Sequence, residues 1–165
     1  MNWTDRTILA WLLGTAVCVA PAWGREASDL PIEITADTAE YNESSRTVTY
    51  TGDVAVVQGR ATLNSAQLTL YQPKDGPQTL VAEGNPVRFH QPEEEGRKEV
   101  RGQSARVEYD LDERLLTLIG DAEIIQSGDR VTSDRIVYDM KTATVTAGAA
   151  AQGQERVRTT IQPRN

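Results

Sequence analysis

The chain has 165 residues, a length that is enough for one domain and barely enough for two, and its formal net charge is −7. Its 24 acidic side chains outnumber 17 scattered Lys and Arg, a composition that argues against nucleic acid as a partner. It also lacks the polybasic segment that would hold an anionic membrane surface.

The first 24 residues predict a cleaved secretory signal peptide. Arg6 precedes an apolar run over residues 7–20, and small residues at Ala22 and Gly24 suit a signal peptidase. That run is shorter than the about 20 residues of a membrane span. Cleavage after Gly24 would leave a single domain, residues 25–165, and would remove Cys18, the only cysteine. An exported chain without disulfides suits a Gram-negative periplasm. The alternative is an uncleaved anchor.

Beyond Leu30, period-two alternation predicts strands almost throughout. The apolar residues that this alternation places on shared faces are Val48 and Tyr50; Ala66, Leu68 and Leu70; Ala105, Val107, Tyr109 and Leu111; and Ile136, Tyr138 and Met140. Residues 42–45, 59–60, 73–77 and 128–129 are rich in turn-forming side chains and separate the strands. The pattern predicts an all-β fold.

The strands belong to an internal repeat. A shift of 68 residues superimposes "YTGDVAVVQG", residues 50–59, on "LIGDAEIIQS", residues 118–127. A looser copy, "GNPVRFHQ" at 84–91, aligns if Pro86 is a one-residue insertion, and a worn fourth copy begins at "TSDRIVYD", residues 132–139. We interpret each unit as a pair of hairpins. The recurrent Gly-Asp pairs are interpreted as turn chemistry rather than as a metal or catalytic site.

The inward positions of the repeats are uniformly apolar, which two architectures explain. The side chains can fill a closed core, or an open array of strands can leave an apolar groove for a ligand. The residue pattern alone leaves both open.

The phrases "PIEITAD" at 31–37, "YTGDVAVVQG", "GNPVRFHQ" and "TSDRIVYD" resemble the LptA/OstA family of periplasmic lipopolysaccharide transport proteins, from about residue 30 to 162. The resemblance implies a twisted β-jelly roll of about sixteen antiparallel strands, built from hairpin repeats around a hydrophobic interior groove. It implies a carrier that bridges inner and outer membranes, binds the lipid A portion of lipopolysaccharide and needs no cofactor. The implied partners are an LptC-type inner-membrane protein, an LptD-type outer-membrane protein and further copies joined head to tail.

Site residues follow partly from the resemblance and partly from strand parity. Ile32 and Phe89 match positions that the family places against lipid. Parity alone adds Ile34, Val48, Tyr50, Val54, Val56, Leu68, Val87, Leu116, Leu118 and Ile124. The assembly edges are expected in the first strand, about 32–37, and the last, about 157–162. They are represented by Ile32, Ile34, Val157, Thr159 and Ile161. Arg88, Arg97 and Lys98 are scattered, weak candidates for phosphate contact.

Three alternatives to a lipid carrier bear on the same residues. An enzyme is disfavoured because His90 is the only histidine and neither a Gly-rich phosphate loop nor a His-containing metal spacing occurs; the acidic cluster at 92–96 is typical of a solvated loop. His90 is expected at the surface. A structural β-repeat or adhesin-like protein with a filled core would share the strand pattern. An LptC-type membrane-anchored partner would require an uncleaved N-terminal segment.

Overall fold

The computed structural model describes residues 30–76, 78–94 and 96–163, so the predicted signal peptide lies outside the described residues. The strands are β1 (Ile32–Thr35), β2 (Thr38–Asn42), β3 (Thr47–Gln58), β4 (Ala61–Tyr71), β5 (Thr79–Gln91), β6 (Val100–Asp110), β7 (Leu115–Gln126), β8 (Asp129–Asp139), β9 (Thr144–Ala147) and β10 (Arg158–Thr160). A 3₁₀ turn, Gly148–Ala151, follows β9. Within the described ranges, no helix has the length and apolar character to cross a membrane. The predicted all-β class is confirmed.

All ten strands form one antiparallel sheet in which β3 to β8 pair in chain order. At the start of the chain, β1 pairs with the second part of β3 and β2 with its first part. At the far end, β9 and β10 pair with opposite ends of β8. The six long strands therefore lie side by side, and a pair of short strands flanks them at each end.

The register shifts near the middle of every pair of long strands, and the extra residues lie in β3, β5 and β7. The register of β3 against β4 shifts after Thr51, and that of β7 against β8 shifts after Ile119. At these points Gly52 and Asp53 have φ of 86° and 40°, and their repeat equivalents Gly120 and Asp121 have 76° and 48°. The predicted turn conformation is therefore present, but it lies inside a strand, where extra residues bend the strand rather than end it.

The corresponding bulge of β5 is one residue longer. Between ladder positions Glu83 and Val87 it carries Gly84, Asn85 and Pro86, with a cis peptide bond before the proline. The equivalent interval in β3 and β7 has two residues. The expectation that Pro86 is a one-residue insertion is confirmed.

The aligned bends divide the sheet into two half-sheets. We call half-sheet I the part formed by β2, residues 47–51, 67–71, 79–83, 106–110, 115–119 and 135–139, and β9. Half-sheet II is formed by β1, residues 54–58, 61–64, 87–91, 100–103, 122–126 and 129–133, and β10. Each half-sheet has eight segments. The predicted antiparallel all-β fold is confirmed, but the chain has ten strands rather than about sixteen, because six long strands run through both half-sheets.

The apolar core lies between the two half-sheets. Leu68, Leu118 and Ile136 of half-sheet I are buried together with Val87 and Ile124 of half-sheet II. Across the interior, the rings of Phe89 and Tyr138 lie 6.5 Å apart between centroids. The half-sheets thus pack face to face.

Two positions predicted to face inward are exposed instead. Ala66 and Ala105 point outward, whereas Ser65 and Ser104 beside them are buried. The reason is that strict alternation fails where a strand bends at the bulge of its neighbour, so the inward-facing side chain moves by one position.

Candidate functional site

An apolar cavity occupies the interior between the half-sheets. It has a volume of about 50 Å³. Its lining comes from both half-sheets and is Ile32, Val56, Gln58, Ala61, Thr62, Leu63, Leu68, Leu80, Ala82, Phe89, Val107, Tyr109, Leu116 and Met140. Because most of these side chains are hydrocarbon, the cavity is suited to an apolar ligand.

The cavity borders a polar mouth, where the hairpin ends of the two half-sheets approach each other. The buried Tyr138 hydroxyl donates to Gln91 Oε1 across the interior at 3.4 Å. Beside this contact, Glu94 and Arg97 close a tight turn through two backbone hydrogen bonds of 3.1 and 2.8 Å. The mouth cleft is lined by Gln58, Ala61, Gln91, Glu94, Arg97, Tyr109, Arg114 and Met140.

Two interior tyrosines mark the boundary between the apolar cavity and this mouth. Burial raises the pKa of the Tyr109 and Tyr138 hydroxyls. The positive charges of Arg114 and Arg97 oppose this effect on the pKa of Tyr109 and of Tyr138 respectively. Since both pKa values lie above the ordinary value near 10, the phenols stay neutral and act as hydrogen-bond donors at neutral pH.

Comparison with known proteins assigns the family. The family model described as "LptA/(LptD N-terminal domain) LPS transport protein" matches residues 33–144, more than half of the chain. The chain belongs to this family. Its all-β fold and its apolar interior are those that the resemblance in the sequence implied.

Individual relatives extend the match. The chain is 30% identical to the lipopolysaccharide export system protein LptH of Pseudomonas aeruginosa over 158 residues, 92% of this chain and 89% of that protein. It is 33% identical to LptA of Haemophilus influenzae over 136 residues, 81% and 77% of the two chains. The crystal structure of Pseudomonas aeruginosa LptH, titled the LptA homologous periplasmic component of the lipopolysaccharide transport device, superimposes with a TM-score of 0.73 at 29% identity. That superposition covers 83% of this chain and 99% of LptH.

In this member of the LptA/LptD family, eleven of the twelve residues predicted to bind lipid pack in the interior. Five line the cavity directly: Ile32, Val56, Leu68, Phe89 and Leu116. Six pack in the core cluster around it: Ile34, Tyr50, Val54, Val87, Leu118 and Ile124. Val48 is half-buried, pairs with the exposed Tyr41 of β2, and lies outside the cluster. Contact of these side chains with lipid remains a prediction.

The predicted site lacked Tyr138 of the core cluster and nine residues that line the cavity: Gln58, Ala61, Thr62, Leu63, Leu80, Ala82, Val107, Tyr109 and Met140. Parity had grouped Val107, Tyr138 and Met140 with inward positions, so that signal was available. Leu80 and Ala82 lie in the run "TLVAEG", where the outward Val81 is also buried. A continuous apolar run carries no alternation from which to choose a face.

The predicted assembly residues lie at the outer edges of the sheet. Ile32 and Ile34 belong to β1, which pairs only with β3, and Thr159 belongs to β10, which pairs only with β8. Val157 and Ile161 flank β10, and Ile161 is 72% exposed. Each edge strand thus leaves one side unpaired among the described strands.

The outer face of half-sheet II carries His90 and Arg88, two residues that the sequence analysis considered. His90 is at the surface as expected, with Nε2 2.8 Å from Glu99 Oε1, and Arg101 Nη2 lies 2.7 Å from the same oxygen. These contacts, with that of His90 first, lower the pKa of Glu99. Arg88 points outward beside Phe89. No group of three His, Cys, Asp or Glu side chains that could hold a metal occurs in the described part of the chain.

Proposed function

We propose that the mature chain is a periplasmic carrier that binds lipopolysaccharide and passes it from the inner to the outer membrane. The observation that carries the proposal is the apolar cavity between the half-sheets, in a chain of the lipopolysaccharide transport family. The acyl chains of lipid A occupy the interior, and its sugars and phosphates remain at the mouth. No catalytic step, metal or cofactor is part of this function.

The energetic need for such an interior is large. Each methylene group removed from water contributes about 0.8 kcal/mol, so exposing one acyl chain of about 12 methylenes costs about 10 kcal/mol. Lipid A carries several such chains. An interior lined by side chains such as Leu68, Phe89 and Leu116 offsets that cost during passage through the aqueous periplasm.

Loading requires the half-sheets to move apart. A volume of about 50 Å³ is far below the about 300–1,000 Å³ of typical ligand pockets. Six strands run through the bend, so that side is joined by continuous backbone. At the mouth, by contrast, the half-sheets meet through side chains and the long 3.4 Å bond from Tyr138 to Gln91. The bend therefore acts as the hinge, and the mouth opens.

We propose that copies join head to tail through the two ends of the sheet. Strands β1 and β10 offer unpaired backbone groups to a further strand, which is how an edge recruits another chain. The same ends bind an LptC-type partner at the inner membrane and an LptD-type partner at the outer membrane. Because LptA and the LptD N-terminal domain belong to one family, they are expected to have similar sheet edges, which supports pairing between such domains.

A charge placed on one edge tests the assembly. Ile161→Lys is expected to lower the apparent mass in light scattering at high protein concentration, because a charged edge resists strand pairing. Val57→Lys is the matched control, since Val57 is also exposed but lies on β3, which is paired on both sides. An unchanged mass for Ile161→Lys, or an equal fall for the control, would contradict pairing at this edge.

The decisive test of lipid carriage uses a photo-reactive amino acid at position 89. Phe89 is 6% exposed and faces the cavity, whereas the adjacent Arg88 is exposed on the outer face, so position 88 is the control. In cells that make lipopolysaccharide, a lipopolysaccharide adduct is expected at 89 and not at 88. The narrow cavity favours a second candidate, a structural β-repeat with a filled core. Adducts at neither position in the exported, folded protein would establish that candidate and refute carriage.

A further inference from the structure

Two arginines stand where the apolar cavity meets solvent. Arg97 lies in the turn between β5 and β6, and Arg114 lies in the hairpin between β6 and β7; both line the mouth cleft. The cleft and the apolar cavity share four lining residues: Gln58, Ala61, Tyr109 and Met140. One continuous surface therefore carries hydrocarbon at its inner end and two guanidinium groups at its outer end.

Backbone hydrogen bonds fix the main chain at both arginines. Arg97 N–H donates to the Glu94 carbonyl at 2.8 Å. Arg114 N–H donates to the Asp110 carbonyl at 2.8 Å, and the Arg114 carbonyl accepts from Met140 N–H at 3.0 Å. The two residues come from different hairpins that the fold brings to one mouth, so the cleft is set by tertiary structure rather than by one mobile loop.

The described lining of the cleft carries more cations than carboxylates. Arg97 acts electrostatically on the Tyr138 hydroxyl together with Asp139, and Arg114 acts on the Tyr109 hydroxyl together with Asp110; neither aspartate belongs to the cleft lining. Glu94 also lines the cleft and offsets one of the two positive charges. Guanidinium groups bind phosphate through paired, charge-assisted hydrogen bonds.

We propose that Arg97 and Arg114 form an anion subsite that binds a phosphate monoester of the carried lipid while its acyl chains lie in the cavity. The inference rests on the proposed function, because it names the headgroup chemistry that the same site selects. The cleft thereby makes the protein prefer a phosphorylated lipid over a neutral lipid with the same acyl chains. The phosphate stays at the rim, where water still reaches it.

The repeat supplies a matched control residue. Arg46 corresponds to Arg114 under the 68-residue shift, and the two have φ of 54° and 60°. The Arg46 carbonyl accepts from Gln72 N–H at 3.0 Å, just as the Arg114 carbonyl accepts from Met140 N–H. Arg46 is exposed and lies outside the cleft lining. Arg46→Gln therefore reproduces the backbone strain and the lost charge without touching the subsite.

The test compares binding by the purified mature protein and by the variants Arg97→Gln, Arg114→Gln and Arg46→Gln. The probes are bis-phosphorylated lipid A, the same lipid A after enzymatic removal of both phosphates, and inorganic phosphate alone. The protein and Arg46→Gln are expected to bind phosphorylated lipid A about tenfold more tightly than the dephosphorylated form, equivalent to about 1.4 kcal/mol. Arg97→Gln and Arg114→Gln are expected to lose that preference and to keep their affinity for dephosphorylated lipid A. The conservative variant Arg97→Lys, which keeps the positive charge, is expected to recover part of the preference.

Each other outcome is informative. Equal binding of both lipids by the unsubstituted protein would overturn the subsite and leave lipid carriage intact, whereas binding of neither would refute the carrier itself. A preference that survives in both Arg97→Gln and Arg114→Gln would also overturn the proposal. If inorganic phosphate at millimolar concentration binds without lipid, and this binding is lost in the arginine variants, the cleft is a site for free phosphate instead. If Arg114→Gln does not fold, Arg97→Gln alone decides.

Discussion

A methyl group added at three glycines tests whether the bends hold the half-sheets in position. Gly52, Gly96 and Gly120 have φ of 86°, 79° and 76°, so an alanine in any of them suffers similar backbone strain. Their surroundings differ. A methyl group at Gly96 would meet no neighbour within 4 Å, and one at Gly120 would lie 3.2 Å from Ala105 Cβ. At Gly52 it would clash with Asp37 Oδ2 and lie 2.8 Å from Asp37 Cβ.

These distances set the order of the effects. The left-handed conformation costs alanine about 1–2 kcal/mol, and the stiffer unfolded chain returns about 0.4–1 kcal/mol. Gly96→Ala should therefore lower the free energy of unfolding by about 1 kcal/mol. Overpacking adds about 1–3 kcal/mol, with Gly120 near the lower limit and Gly52 near the upper. Asp37 cannot relieve the clash by rotation alone, because its Cβ is also too close and its N–H donates to the Gly52 carbonyl at 3.0 Å.

The measurement is urea unfolding of the three alanine variants, followed by far-ultraviolet circular dichroism. We expect the loss of stability to rise from Gly96→Ala through Gly120→Ala to about 3 kcal/mol or more for Gly52→Ala. Equal losses in all three would refute the reasoning, because they would mean that only backbone strain matters and that the bends are not tightly packed.

Two further predictions concern the interior and the C-terminal connection. Ile124→Ala should lower the free energy of unfolding by about 2–5 kcal/mol and Ile125→Ala by clearly less, because Ile124 is 2% exposed inside whereas its neighbour faces outward; similar losses in urea unfolding would contradict the register. Asp134 accepts from the Gln154 N–H at 2.6 Å, and this bond, the largest of several causes, lowers the pKa of Asp134 below 3.8. The resulting stability is present above pH 3.8 and disappears as pH falls through the folded pKa, so Asp134→Asn should be less stable at pH 7 and converge with the unsubstituted protein in acid. If the stability difference between Asp134→Asn and the unsubstituted protein stays constant down to low pH, the Asp134 carboxylate is not the source of that stability.

Residue types and their spacing predicted much of the fold and part of the site. Alternation placed Val54 and Val56 inside, and the 68-residue shift paired Gly52 with Gly120. Both succeed because side-chain parity and positive φ are local properties of a strand. Ala66 was placed on the wrong face, since a bulge in the neighbouring strand changes parity where the strand's own residues give no sign of it.

The amino-acid sequence thus predicts the strands, the repeat and the apolar inward face, because each depends on residues within a few positions of one another. Only the tertiary structure decided that the Gly-Asp pairs bend strands instead of ending them. It also decided that Gln91 meets Tyr138 across 47 residues and that Arg97 and Arg114 share one mouth. These relations depend on how far each strand folds back over its neighbours, and that is set by the packing of two half-sheets whose facing residues are remote in sequence.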